Sequence, residues 1–118
     1  MSKLAQLGSH KTSVYTDIDG FTKVIYHNTA VVEFNDKYII LNTGGYMTNT
    51  TKLRMNQASN QFRLGYNVYQ KAYKWYIQFD GQEPILYFAD KVLIARCIPE
   101  LGVVASEGGI KHYLENDN

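Results

Sequence analysis

Cysteine occurs once in the 118 residues, at Cys97. No intrachain disulfide can form, and a reducing cytoplasm is the expected compartment. The apolar strand before Cys97 suggests a buried thiol. The three histidines, His10, His27 and His112, are scattered, so nothing has the spacing of a zinc site and no metal is expected. Asp17-Ile18-Asp19-Gly20 begins like a calcium loop, but the later ligands are missing and the segment reads as a turn. No apolar run approaches the length of a membrane span, and Met1 to Thr12 lacks the apolar core of a signal peptide, so no membrane is expected. Neither a Walker motif nor GxGxxG is present, and no cofactor is expected.

The most pointed absence is of acid. From Lys37 to Phe79 there are six basic residues (Lys37, Lys52, Arg54, Arg63, Lys71, Lys74) and no Asp or Glu. A formal net charge of +1 thus hides a basic middle between acidic flanks. The same middle holds Tyr38, Tyr46, Phe62, Tyr66, Tyr69, Tyr73, Trp75, Tyr76 and Phe79. Cations interleaved with rings suit a polyanion that carries flat bases.

A chain of this length fits one domain with its own core. Residues 1–11 read as a loose arm, 12–98 as a single α+β domain and 99–118 as an irregular C-terminal tail. Val14 to Ile18, Phe21 to Tyr26, Ala30 to Phe34 and Lys37 to Leu41 are β-rich runs, separated by turn signals such as Asp19-Gly20 and Asn35-Asp36. They predict an antiparallel meander. Thr48 to Gln61 loses the period of two, and one helix over about residues 48–62 is expected, capped by Thr48 or Thr50 and stopped near Gly65. Its apolar arc is narrow (Met55, Ala58, Ser59, Phe62), which predicts a largely solvated polar surface with Lys52, Asn56 and Asn60 in a row. Tyr66 to Gln70, Tyr73 to Phe79, Ile85 to Phe88 and Val92 to Arg96 complete the strands. The expected fold is a mostly antiparallel sheet, or a small partly open barrel, with the helix packed on it.

Asn42-Thr43-Gly44-Gly45-Tyr46 leads from a strand end towards the helix start, where glycines let backbone amides approach an anion. Thr48, Thr50, Thr51, Lys52, Arg54, Asn56 and Gln57 follow, a dense set of polar donors. An ordinary capped helix with a solvated face is the competing reading. Along Tyr73 to Phe79 the alternation puts Tyr73, Trp75, Ile77 and Phe79 on a core face and Lys74, Tyr76 and Gln78 on the other. With Lys71, that second face is a candidate stacking platform for single-stranded nucleic acid, or a plain Tyr-rich strand surface. His27 is the one candidate for acid–base chemistry, without a catalytic partner identifiable from the sequence.

The phrases Tyr26-His27-Asn28-Thr29-Ala30-Val31-Val32, Ile40-Leu41-Asn42-Thr43-Gly44-Gly45-Tyr46, Thr48 to Gln57 and Val68-Tyr69-Gln70-Lys71 together resemble a recurring small bacteriophage protein family, over roughly residues 21–95. The resemblance implies an origin, and with it action in the cytoplasm of an infected bacterial host, rather than a mechanism. Three readings follow. The chain is a binding protein for nucleic acid or a nucleotide, an inhibitor or counter-defence factor that binds a host protein, or a small metal-independent nuclease or nucleotide-processing enzyme using His27, Lys52, Arg54 and a Tyr. Exposed β edges also leave room for a homo-oligomer.

Overall fold

The computed structural model describes residues 12–116. The arm expected over residues 1–11 lies outside them. Among the described residues the strands are β1 (Thr12–Thr16), β2 (Thr22–Tyr26), β3 (Thr29–Phe34), β4 (Tyr38–Asn42), β5 (Tyr66–Lys71), β6 (Lys74–Phe79), β7 (Ile85–Leu86), β8 (Lys91–Ala95) and β9 (Val103–Ser106). The helices are α1 (Asn49–Phe62) and α2 (Gly109–Glu115). The strands form two open antiparallel sheets, one ordered β1-β2-β3-β4-β8-β9 and the other β5-β6-β7. The fold is α+β, and the barrel alternative is set aside because neither sheet closes.

Short side chains set the hairpins. The Asp19 carboxylate accepts from the Phe21 amide at 2.9 Å, beside Gly20 at φ 87°, and Asn35 Oδ1 accepts from the amides of Lys37 and Tyr38, each at 2.8 Å. Asp and Asn favour turns for this reason. Central strands β4 and β8 are buried on both faces. Ile39, Leu41, Val92 and Ile94 belong to the core shared with α1 and the small sheet. Tyr38, Ile40, Leu93 and Ala95 point the other way and meet Ile110, Tyr113 and Leu114 of α2.

That second core corrects the expectation of an irregular C-terminus. The chain makes a 3-10 turn at Pro99–Leu101, adds β9 to the free side of β8, and lays α2 over apolar side chains that would otherwise face water. The glycines at 102 and 108 punctuate these short elements without making the segment structureless. Cys97 is exposed, not buried, because the chain has already left the sheet after Ala95.

Helix α1 begins where Thr48 caps it, its Oγ1 accepting from the Thr51 amide at 3.2 Å. It ends at Arg63 in the left-handed region, φ 56°, before Gly65 is reached. Its expected solvated face is the larger correction. Thr51, Arg54, Asn56, Gln57 and Ser59 are all buried. For Asn56 and Ser59 the cause is that α1 lies along the edge of β5 and satisfies its backbone. Ser59 Oγ donates to the Tyr66 carbonyl at 2.7 Å and accepts from the Tyr66 amide at 3.0 Å, and Asn56 treats Val68 in the same way. An edge strand needs such cover, and here polar side chains supply it.

The β5–β6 hairpin also departs from expectation. Ala72 and Tyr73 form its turn, both with positive φ (52° and 68°), so Tyr73 is 95% exposed instead of core-facing. No Asn-Gly or Asp-Gly marks this turn.

Candidate functional site

The small sheet has one face against the core and one facing out. Tyr66, Val68, Trp75 and Ile77 fill the inner face. Because side chains alternate across a strand, the outer face carries three cross-strand pairs: Asn67 opposite Gln78, Tyr69 opposite Tyr76, and Lys71 opposite Lys74. Leu86 of β7 extends the row from Tyr76. Tyr69 and Tyr76 are stacked, ring centroids 5.6 Å apart and planes 24° from parallel. Lys71 and Lys74 are both exposed. Like charges directly opposite each other cost stability in a sheet, so folding does not account for this pair. Amides, a stacked ring pair and a lysine pair therefore run in order towards the exposed Tyr73.

Lys52 joins this end from α1. Its Nζ donates to Gln70 Oε1 at 3.2 Å and sits 5.2 Å from the centroid of the Trp75 ring. Lys52, Lys71, Lys74 and Tyr76 are thus brought to one hairpin, Lys52 on the side of Gln70 and Trp75 and the other three on the outer face. Arg54, Asn56 and Gln57 are not. Arg54 is only 7% exposed; its Nη1 donates to Gln57 Oε1 at 2.9 Å, its guanidinium lies 5.3 Å from the Tyr26 ring centroid, and its Nε has no acceptor.

The glycine loop belongs to a different place. Asn42 Oδ1 accepts from the Gly44 amide at 2.9 Å, and Thr43 Oγ1 donates to Asp90 at 2.7 Å while accepting from the Gly45 amide at 3.2 Å. Gly44 and Gly45 both have positive φ. A Cβ on Gly44 would lie 2.7 Å from Thr29 Oγ1, so the loop sits tightly on the β2–β3 turn. Beside this contact is a cleft of about 680 Å³, lined by Tyr26, His27, Asn28, Thr29, Val31, Thr43, Tyr46, Thr48, Thr50 and Thr51. Apart from the buried Arg54, Asn56 and Gln57, the candidate residues of the sequence therefore divide between a hairpin and a separate cleft with its bordering loop. Asn67 and Tyr69 on the first, and Tyr26, Asn28 and Thr29 in the second, were not among them. The cross-strand register was the missing signal, since Tyr69 gains meaning only opposite Tyr76.

Two further features complete the surface. Met47, Tyr73, Leu86 and Phe88 are exposed apolar residues that border one concavity of about 550 Å³. On the larger sheet, Lys23 Nζ lies 2.9 Å from Asp17, 3.6 Å from Asp19 and 3.7 Å from Glu33. The Lys23 hydrogen bond holds the Asp17 carboxyl below the usual range, and the same bond raises Lys23. These flanking acids are engaged with their own lysine. Among the described residues no group of three or more metal-ligating side chains forms, and no helix is long and apolar enough to cross a membrane.

A family model described as Kyanoviridae Gp96 protein matches residues 1–94. No curated protein and no solved structure matches the chain.

Proposed function

We propose that this chain, which belongs to the Kyanoviridae Gp96 family of bacteriophage proteins, binds single-stranded nucleic acid across the outer face of its three-stranded sheet. The observation that carries the reading is the stacked Tyr69–Tyr76 pair beside the Lys71–Lys74 pair, which has no acidic partner among the described residues. Rings stack on bases whatever their sequence, at about 1–3 kcal/mol per base. Lysines take up phosphate charge and release counterions. Residues two apart on a strand are about 7 Å apart, which sets each ring next to a lysine along its strand. Asn67 and Gln78 add amides able to meet base edges or sugar oxygens. The ligand is phage or host nucleic acid in the cytoplasm of the infected cell, and the role is binding. A nuclease built on His27, Lys52 and Arg54 is not favoured, since Lys52 reaches Gln70 while Arg54 is buried.

Fluorescence anisotropy with labelled single-stranded RNA and DNA at low salt tests the proposal. Tyr69→Ala with Tyr76→Ala is expected to weaken binding at least about fivefold. Absence of binding at low salt overturns it.

A second reading rests on Met47, Tyr73, Leu86 and Phe88. Exposed apolar residues gathered around a concavity suit contact with a host protein. Capture of a host protein that survives nuclease treatment and is lost on Phe88→Ser would favour it.

A further inference from the structure

We infer that the cleft between the β2–β3 turn and the start of α1 is a second ligand site, separate from the sheet surface, and that it takes a nucleoside. None of the lining residues is Lys, Arg, Asp or Glu, so a divalent cation would find no opposite charge there, and a bare phosphate would find only the partial charge of the α1 N-terminus. A neutral ligand is the match. The volume of about 680 Å³ falls in the range of small-molecule clefts.

The lining chemistry narrows the class. Tyr26, His27 and Tyr46 supply three aromatic rings, with His27 edge-on to Tyr26 at a centroid distance of 4.4 Å. Flat heteroaromatic ligands are held by such walls. Threonine hydroxyls make up much of the remainder. Those of Thr43, Thr48 and Thr51 are committed to the Asp90 carboxylate and to the helix cap. Those of Thr29 and Thr50, with the Tyr46 phenol, hold no hydrogen bond among the described residues. They are placed to meet sugar hydroxyls, and the Asn28 amide has the donor and acceptor that a base edge requires. Rings for a base and hydroxyls for a sugar together describe a nucleoside better than either half alone.

The walls are held before any ligand arrives. Gly44 packs on Thr29 so closely that a Cβ would intrude, and Thr43 ties the loop to Asp90. Preformed walls lower the ordering cost of binding.

Ligand-observed NMR and calorimetry on the full chain, with adenosine, guanosine, cytidine, uridine and free ribose, test the inference. At least one nucleoside is expected to bind saturably, with ribose alone much weaker. Tyr46→Ala and Thr50→Ala change exposed side chains. The first should weaken nucleoside binding about 5- to 100-fold, and the second should weaken it to a lesser degree. Tyr69→Ala with Tyr76→Ala should leave it unchanged, so failure of the sheet surface and of the cleft are told apart. Saturation by none of the nucleosides, equal binding of ribose, or indifference to Tyr46→Ala overturns the assignment.

Discussion

Asn56 pairs with Val68 as a neighbouring strand would: its Nδ2 donates to the Val68 carbonyl at 2.9 Å, and its Oδ1 accepts from the Val68 amide at 2.7 Å. All four groups are buried. A helix side chain has replaced a β partner, and this sets which face of the small sheet remains for a ligand. With β5 closed off by Ser59 and Asn56, the outward pairs of β5 and β6 are the surface presented to solvent.

Removing that side chain should be costly. Asn56→Ala strands a buried donor and a buried acceptor, each worth about 1–3 kcal/mol. A loss of at least about 2 kcal/mol is expected in urea denaturation. Asn56→Asp keeps the acceptor but turns a carboxylate oxygen towards the Val68 carbonyl, so its penalty should grow as pH rises through the carboxyl range. A neutral Asn56→Ala would mean that water replaces the amide.

Arg54 should behave differently from the lysines. It is a buried cation whose polar contacts among the described residues are Gln57 and the Tyr26 ring, neither of them a carboxylate. Replacing buried ions with apolar side chains of like volume is often neutral or stabilising. Arg54→Met is therefore expected to keep or raise stability and to leave nucleic-acid affinity unchanged. Lys74→Ala should instead weaken binding, while stability holds or rises slightly as the like-charge contact with Lys71 is removed. Comparison of the two by anisotropy and thermal melting checks both.

The β5–β6 turn stores strain beside the candidate surface. Ala72 and Tyr73 hold positive φ without being Asn or Gly, and such residues cost about 1–3 kcal/mol each. Ala72→Asn with Tyr73→Gly suits this turn and should stabilise the protein by about 1–2 kcal/mol. If Tyr73 serves the ligand, the same change lowers affinity, so Tm and binding move in opposite directions. A variant that lost stability would contradict the turn assignment.

The Lys23 cluster contributes to the acid limb of stability. Asp17 is held below its ordinary pKa of 3.8, chiefly by its hydrogen bond with Lys23. A lowered carboxyl gives stability that is present above pH 3.8 and lost as pH falls through the folded-state value. Lys23 is raised above 10.5, so its contribution is present below that pH and fades only as pH climbs through the higher folded value. Between these limits the cluster should add no slope. Asp17→Asn should flatten the acid limb of a urea-midpoint profile without altering its neutral plateau shape; an unchanged acid limb would exclude this source.

Much of the fold is legible in the sequence because local chemistry and tertiary structure agree. The meander β1 to β4 follows from Asp19-Gly20 and Asn35-Asp36 between β-branched runs, and α1 from Thr48 and the loss of the period of two. What is hidden depends on distant partners. Nothing near Asn56 or Ser59 in the sequence shows that an edge strand awaits their side chains. The C-terminal glycines conceal β9 and α2, whose reason is the bare second face of Tyr38, Ile40 and Leu93. The candidate surface is half visible. Lys71, Lys74 and Tyr76 stand out by composition, while Tyr69 requires the register with Tyr76, and Arg54 looks like a ligand-facing cation until its burial is known.

Nucleic-acid binding by the hairpin stands or falls on the salt dependence of single-strand binding, measured for the native chain and for Lys71→Ala with Lys74→Ala. Each phosphate neutralised on a single strand contributes about −0.7 to the slope of log K against log salt. Binding across the hairpin should give measurable affinity at low salt, a negative slope, and a slope about 1.4 units shallower in the double variant. No binding at low salt, or the same slope in both proteins, would contradict it.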